Sequence, residues 1–427
     1  MATTLQLQQQ KSTVQGYDYD LAIVGGGIVG ATLACALKDS GLTVVLIEAQ
    51  PHSEAVAKGQ AYNLSLMSSR IYQGIGVWSE IEPKLTPYQQ IRLSDADCPQ
   101  VVQFFPKDLG LHSLQPHFPR KTAPALGYVA EHGILLQALQ DFLQDCPNVE
   151  WLCPAKVIRT AYETDGVHLD LASSSDIPAA IRVRLVVAAD GARSQIREKA
   201  GIGTHGWQYW QSCIVATISP EKPHSNIAYE RFWPSGPFAI LPLPSNRCRI
   251  VWTAPHAEAQ TLAALDDTQF LQELRRRYGD QMGQLSLIGD RFVFPVKLMH
   301  ANRYILPGLA LVGDAAHCCH PVGGQGLNLG IQDVAALAEV IMIAQQQGED
   351  IASLRVLKRY QRWRRLENLA TLSFTDFLDR LFSNHWLPLV VGRRLGLRLM
   401  QALQPLKFYA LKFMTGLSSR LPKVAQN

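Results

Sequence analysis

A glycine triplet set between an apolar run and a helical run limits what this chain can build. Residues 21–24 (Leu-Ala-Ile-Val) are a short, continuously apolar run of the kind buried in a parallel sheet. Gly25, Gly27 and Gly30 follow at G-x-G-x-x-G spacing, and residues 28–40 read as a helix stopped by Gly41. Residues 43–47 (Thr-Val-Val-Leu-Ile) read as a second buried strand, ending at Glu48. In such a unit the first glycine permits a tight turn, the second lets the backbone approach a pyrophosphate, and the third lets helix pack on strand. The free N–H groups and dipole of the helix N-terminus favour the anion. Glu48 lies 18 residues after Gly30, where a carboxylate can accept hydrogen bonds from ribose hydroxyls. The segment predicts a dinucleotide site.

The same stretch, residues 21–37, would attract a search for membrane spans. It holds four glycines, is only 17 residues long and follows Asp18 and Asp20 rather than a basic cluster, so a strand, a turn and a helix explain it better. No secretory signal is expected, and residues 1–16, rich in Thr and Gln, read as a loose leader.

A chain of 427 residues is long for one core and suits two domains with an appendage. The expected division is a discontinuous nucleotide-binding domain (17–90, 125–200 and 292–346), a second domain (91–124 and 201–291) and a helical tail (347–427). Residues 69–81 and 133–143 read as helices, residues 82–100 as loop and residues 185–189 as another buried strand. Alternation such as Arg-Cys-Arg-Ile-Val-Trp at 247–252, with many prolines, predicts a mostly antiparallel sheet over 202–291. The fold class is α/β.

Net charge is only +4, so bulk charge does not point to nucleic acid. Charge is unevenly placed: residues 381–427 contain no Asp or Glu but hold Arg393, Arg394, Arg398, Lys407, Lys412, Arg420 and Lys423. That +7 leaves −3 for the rest of the chain. On a helical wheel over 389–403, Arg394, Arg398 and Gln401 share one face, and Leu389, Leu395, Leu399, Met400 and Leu403 cover the other. A basic amphipathic helix of this kind suits a membrane interface. Pro388 and Pro405 are expected to break the helical tail. The eight cysteines are irregularly spaced without C-x-x-C, as for free thiols in a reducing compartment. Residues 317–320 (His-Cys-Cys-His) resemble a metal cluster, but four consecutive side chains cannot easily wrap one tetrahedral ion, and no metal is expected.

A second motif decides which dinucleotide. Residues 310–333 contain a strand (Ala-Leu-Val), Gly313-Asp314, a loop with Pro321, Val322, Gly323 and Gly326, then Leu327 and Asn328 opening a helix. A second helix N-terminus nearly 300 residues from the first suits a large cofactor with a second anionic region, as reduced flavin has at its N1/C2=O edge. This segment resembles the FAD-ribityl motif of group A flavoprotein monooxygenases, and residues 190–194 (Asp-Gly-Ala-Arg-Ser) resemble that group's Asp-Gly motif. Further matches, including Gly-Val-Trp at 76–78, Glu-Arg-Phe at 230–232 and the tail at 381–393, are similar to the ubiquinone-biosynthesis hydroxylase family, the aerobic polyprenylphenol ring hydroxylases and their Coq-type relatives.

The resemblance implies a Rossmann-type, para-hydroxybenzoate hydroxylase-like FAD domain with an antiparallel substrate domain and C-terminal helices. It implies that Gly25, Gly27, Gly30 and Glu48 hold the ADP half of FAD, that Asp314 meets the ribityl or pyrophosphate oxygens, and that Gly326, Leu327 and Asn328 present N–H groups to the flavin. Asp190 is expected near the pyrophosphate and the route of a reduced nicotinamide. Many family members carry Asp-Gly-Arg where this chain has Lys58, Gly59 and Gln60, so a neutral glutamine replaces the arginine near the flavin, with Arg70 a candidate substitute. The implied reaction uses O2 and an external donor, NADPH, NADH or ferredoxin-type, and a flavin C4a-hydroperoxide hydroxylates an electron-rich ring. Pro321, Val322 and Gly323 are expected over the flavin, and Phe238, Leu241 and Pro242 on the facing sheet of the ring pocket. His317 and His320 could bond substrate or flavin. The expected enzyme is cytoplasmic and peripherally membrane-bound, acting on a lipid-tailed ring, alone, as a homo-oligomer or within a quinone-biosynthesis complex. A hydroxylase of a soluble aromatic, another isoprenoid-acting flavoenzyme and a flavin-bearing assembly subunit remain as alternatives.

Overall fold

The computed structural model describes residues 16–57, 59–96, 98–111, 124–173 and 177–426. The expected leader, Gly16 apart, and Lys58 lie outside these residues.

Continuous apolar runs become the centre of the first sheet. The strand Tyr19–Val24 pairs in parallel with Val44–Ile47 on one side and Ala180–Ala188 on the other. Val149–Leu152 and Leu309–Leu311 extend it, also in parallel. The helices Ile28–Ala36, His132–Gln144 and Gly326–Gln346 pack over it. Burial on both faces is why these strands are rich in Val, Ile and Leu instead of alternating. Gly326–Gln346 is long and apolar enough to cross a membrane by composition, yet it is mostly buried inside the protein and serves as core.

The second sheet runs through Thr204–Pro220, Ile227–Trp233, Gly236–Leu243, Arg247–Pro255 and Leu285–Ala301, all antiparallel. Gln90–Asp95 joins it in parallel with Ile227–Trp233, and Val101–Phe104 completes that edge. One face packs on the helices His256–Ala264 and Asp267–Tyr278, with Phe238, Ile240, Ile250 and Trp252 against Leu262, Phe270 and Leu274. The opposite face borders the cavity described below.

Several expectations change. Residues 82–100 are not simply loop: Thr86–Tyr88 and Gln90–Asp95 are strands. Pro87 is tolerated because Thr86–Tyr88 is an edge strand, paired on one side with Gly127–Glu131. The expected 69–81 helix begins at Leu66 and ends at Gly76, which takes φ +100°. The boundary drawn at 292 falls inside Leu285–Ala301, which stays in the second sheet to its end. The helical tail is interrupted at Pro388 and Pro405 as expected, and each proline sits in the first turn of the helix that follows, Leu387–Ala402 and Gln404–Met414. The missing N–H costs nothing there.

The tail helix Leu387–Ala402 is turned over relative to a membrane-facing basic helix. Arg393 is buried, and its guanidinium donates to both carboxylate oxygens of Asp95 (3.0 and 3.1 Å) and to the carbonyl of Phe382 (2.9 Å). Arg394 also reaches Asp95, Arg398 reaches Gln100, and Gln401 accepts from the Gln103 N–H. Lys407 is buried too. The polar face therefore grips the second sheet, while the i, i+4 series Leu387, Val391, Leu395, Leu399 and Leu403 is 74, 65, 54, 45 and 47% exposed. Asp95→Ala strands the Arg393 charge in the interior, so it should cost about 3–5 kcal/mol. Chemical denaturation of purified variant and wild type measures this; a loss under 1 kcal/mol would show that the pair does not hold the tail.

Candidate functional site

The three motif glycines have three different surroundings. Gly25 has φ +110°, and a Cβ there would lie 2.4 Å from the Ala189 carbonyl oxygen. A Cβ on Gly30 would lie 1.9 Å from the Gly25 oxygen, so helix and turn touch directly. A Cβ on Gly27 would meet nothing within 4 Å: open space fronts the helix N-terminus. Glu48 is oriented by two backbone donors, Gly26 N–H to Oε2 (2.7 Å) and Gln50 N–H to Oε1 (2.8 Å). Asp190 follows the strand that packs on Gly25. Its Oδ2 accepts weakly from Ile196 N–H (3.3 Å), Oδ1 is buried without a partner, and burial raises its pKa.

The second motif meets the first. Val29, in the first turn after the glycine triplet, fits against two glycines from the far end of the chain. A Cβ on Gly330 would lie 2.8 Å from Val29 Cγ2, and one on Gly313 3.2 Å from Val29 Cγ1. The Gly313 loop is fixed by Asp333, whose Oδ2 accepts from Gly313 N–H (3.1 Å) and pairs with His317 Nε2 (2.6 Å). Asp333 Oδ1 accepts from Arg364 Nε (2.8 Å) and Asn368 (2.9 Å). Asp314 projects from this loop with its side chain exposed to the cavity, and burial among its other neighbours raises its pKa, partly offset by His317.

A cavity of about 1010 Å³ lies between the Pro321–Gly326 loop and the second sheet. Pro321, Val322, Gly323, Gly326 and Leu327 line it, with Asp314, Gln60 and Leu241. Gly323 and Gly324 have φ +69° and +62°, and a Cβ on Gly324 would press within 2.9 Å of Asn63 Cβ. The loop geometry thus requires both glycines. Asn328 works from behind the loop. Its fully buried side chain accepts from Ser65 N–H (2.8 Å) and Ser68 hydroxyl (2.7 Å), and donates to the Asn63 and Gly324 carbonyls (2.8 and 2.9 Å). Gln60 sits exposed on the rim, accepting from the Tyr62 hydroxyl (2.7 Å).

Other expected residues fall elsewhere. Phe238 is buried on the far face of the sheet, edge-on to Trp252, and Pro242 shares its side; neither lines the cavity. Strand periodicity explains the correction, because residues 238, 240 and 242 point away when Ala239 and Leu241 point in. His317 and His320 are structural. Val322 N–H donates to His320 Nδ1 (3.3 Å), so Nε2 carries the hydrogen, facing Gln211 (3.4 Å) and Asp379 (3.5 Å). Burial lowers the His320 pKa to about 4, which keeps the ring neutral and the loop anchored. No cysteine–histidine metal cluster forms among the described residues. Arg70 does not line the cavity, and burial lowers its pKa.

Residues not assigned to the site from sequence complete the cavity. Ile91, Leu93, Phe104, Val215, Ala228, Glu230, Phe232, Ala239 and Val251 form its sheet wall. Phe292, Phe294, Phe374 and Phe377 line it and are also exposed, which places them at its mouth. Gly392, Gly396, Leu397 and Met400 close it from the tail helix. The inward parity of strand positions 228, 230 and 232 is visible in the sequence; which face looks onto the cavity is not.

The arrangement can hold an elongated dinucleotide. Open space lies before one helix N-terminus, the carboxylates of Glu48 and Asp190 stand near it, with Asp190 Oδ1 unpaired among the described residues, and a second helix N-terminus opens onto a large apolar cavity. A model of the FAD binding domain family matches residues 18–375. The chain is 47% identical over 414 residues to an uncharacterized Synechocystis protein, covering 97% of each. It is 41% identical to the ubiquinone hydroxylase UbiL of Rhodospirillum rubrum, over 91% of this chain and 87% of that one. It is 36% identical to the 3-demethoxyubiquinol 3-hydroxylase of Escherichia coli, over 93% and 98%. Among solved structures, p-nitrophenol 4-monooxygenase from Pseudomonas putida shares the fold with a TM-score of 0.77 at 20% identity, covering 94% of this chain and 98% of that one.

Asp333 sets a pH limit on the site. Burial alone would raise its carboxyl, but His317 and Arg364 outweigh it and hold it down to about 2. Because the folded value lies below the ordinary one, its stabilisation is complete above about pH 4 and is lost as pH falls toward 2. Asp333→Asn should cost about 3–5 kcal/mol at pH 7 and flatten that acid limb. Thermal melts from pH 2 to 7 test this; a variant tracking wild type at every pH would refute it.

Proposed function

Since the chain belongs to the FAD-binding-domain family, in the group that includes the ubiquinone hydroxylases, we propose that it hydroxylates the aromatic ring of a polyprenylated phenol or quinone precursor. The observation that carries this reading is the continuity of one apolar cavity. It runs from Asp314 and the Pro321 loop to exposed phenylalanines at its mouth, and Gly392, Gly396 and Leu397 of the helix that bears the exposed leucine stripe also line it. A ring at one end and a hydrocarbon tail at the other fill such a shape, and the tail need not enter water.

FAD, reduced by NADPH, NADH or a ferredoxin-type donor, supplies the oxygen-activating chemistry when bound. The chain's residues bind, orient and exclude water. Gly27 and the helix behind it receive the pyrophosphate, and Glu48 receives the adenosine ribose. Asp190 borders the phosphates, and Asp314 bonds the ribityl chain. Arg70, whose guanidinium has no hydrogen bond among the described residues, is the candidate to stand in for the arginine near the flavin that Gln60 replaces. The N–H groups of Gly326, Leu327 and Asn328 stabilise negative charge at the flavin edge. Pro321, Val322 and Gly323 press on the ring site from the flavin side and Leu241 from the sheet side. The cavity's apolar lining keeps water from the reacting centre.

The exposed stripe of Leu387–Ala402 is the membrane contact. Its arginines are spent on the second sheet, so apolar insertion anchors it rather than attraction to anionic lipid. The enzyme is cytoplasmic and lies against the membrane with the cavity mouth toward the lipid. Leu395→Glu with Leu399→Glu should reduce flotation with phosphatidylcholine vesicles at least about tenfold, at roughly 25 cal/mol per Å² of apolar surface withdrawn. Equal flotation of variant and wild type would exclude the stripe.

The function is tested by mass spectrometry of lipid extracts from cells lacking the gene. Loss of a mature quinone, with a precursor one oxygen lighter accumulating, is expected. Wild type should restore the quinone, whereas Asp314→Ala should purify without yellow colour and fail to restore it. An unchanged quinone pool in the deletion would sink the reading.

A further inference from the structure

The wall of the cavity contributed by the second sheet is apolar but for one carboxylic acid. On the strand Ile227–Trp233, Ala228, Glu230 and Phe232 point inward. Tyr229, Arg231 and Trp233 point away, to Tyr278 and Arg277. Leu93 and Ala239 flank Glu230 on the neighbouring strands. Among the described residues its carboxyl makes no hydrogen bond and no ion pair.

Charged groups on the elements packed around it are already committed or are neutral. Asp95 on the adjoining strand is held by Arg393 and Arg394 of the tail helix. Asp379 of the helix Leu354–Phe382 is bonded to Gln211 and Ser383. Burial pushes the Cys213 thiol, on Thr204–Pro220, up to about 12, so it stays uncharged. Burial likewise raises the Glu230 carboxyl to about 8. An unpartnered acid on an apolar wall is unfavourable for the fold, and its retention points to a partner that arrives with the ligand.

We propose that Glu230 contacts the substrate, receiving the hydrogen of the ring hydroxyl as the phenol enters the cavity. The inference rests on the hydroxylase reading and names the polar group by which that site recognises its ring. The oxygen–hydrogen bond of the phenol breaks with its electron pair left on the ring oxygen, and the proton forms a new bond to a Glu230 oxygen. No oxidant or reductant is consumed. The ring becomes richer in electrons, as an electrophilic hydroxylation requires. A phenol ordinarily ionises near ~10 and a carboxylic acid near ~4.3; a carboxyl raised by burial to about 8 is the closer match, so the transfer is less uphill than to an ordinary carboxylate. The carboxylate takes this hydrogen as a proton, whereas the neutral acid that prevails as pH falls through about 8 can only accept a weaker, uncharged hydrogen bond.

The test uses the full chain loaded with FAD. A short-chain prenylphenol and its methyl ether, which lacks the hydrogen, are titrated at pH 7 and pH 9 by the change in flavin absorbance. Wild type should prefer the phenol by roughly 10- to 100-fold at pH 9, as for a charge-assisted hydrogen bond, and less at pH 7. Glu230→Gln and Glu230→Leu should keep FAD and cut the preference to within about threefold, while Glu230→Asp should restore part of it. The leucine variant replaces an unpaired acid with a side chain suited to Leu93 and Ala239, so its melting temperature should match or exceed wild type. An undiminished preference in Glu230→Leu would overturn the assignment. If the preference depends on Glu230 but the phenol is never hydroxylated, the hydroxylase reading fails and the contact stands. Hydroxylation without that dependence gives the reverse, and no binding of the phenol by wild type removes both.

Discussion

The Asp333 carboxylate joins parts of the molecule that are far apart in sequence. It holds the Gly313 N–H at the end of the first sheet and His317, whose short strand is paired with His300 of the second sheet. It also holds Arg364 and Asn368 on the long C-terminal helix. A fully buried carboxylate is tolerable only because every direction around it offers a donor. The site depends on this junction. Asp314 follows Gly313, and the Pro321 loop follows His317 with its own anchor at His320. Losing one donor would leave a buried charge uncompensated and free the loop that borders the cavity.

Val29 makes the complementary contact. Both Gly313 and Gly330 approach it too closely for a side chain. Two motifs nearly 300 residues apart are thereby brought together, with their two helices in contact. The cavity grows from this junction toward the tail. Its floor is the glycine loop, its wall a sheet face, and its far side the helix that also carries the exposed stripe.

The tail shows how a correct pattern can carry the wrong orientation. Arg394, Arg398 and Gln401 segregate from Leu395, Leu399 and Leu403 as the helical wheel predicts. An amphipathic wheel does not say which face the protein keeps. Asp95 settles it: a buried carboxylate on the second sheet draws Arg393 and Arg394 inward and leaves Leu395, Leu399 and Leu403 outside, while Leu397 is buried. The Phe238 expectation failed in the same way. Its strand was recognisable, but alternation has two phases, and the helices His256–Ala264 and Asp267–Tyr278 claim the phase that contains Phe238.

The sequence by itself determined the nucleotide motif, the parallel core strands, the second helix N-terminus and the family. Each rests on local chemistry: glycines where no Cβ fits, β-branched runs buried on both faces, and a proline–glycine loop before a helix. The tertiary structure alone decided which sheet face meets the cavity, which helix face meets the body, and that Glu230 stands, among the described residues, without a partner on an apolar wall. Those outcomes depend on contacts between residues far apart in the chain. Periodicity can list the two faces of an element, but only packing assigns them.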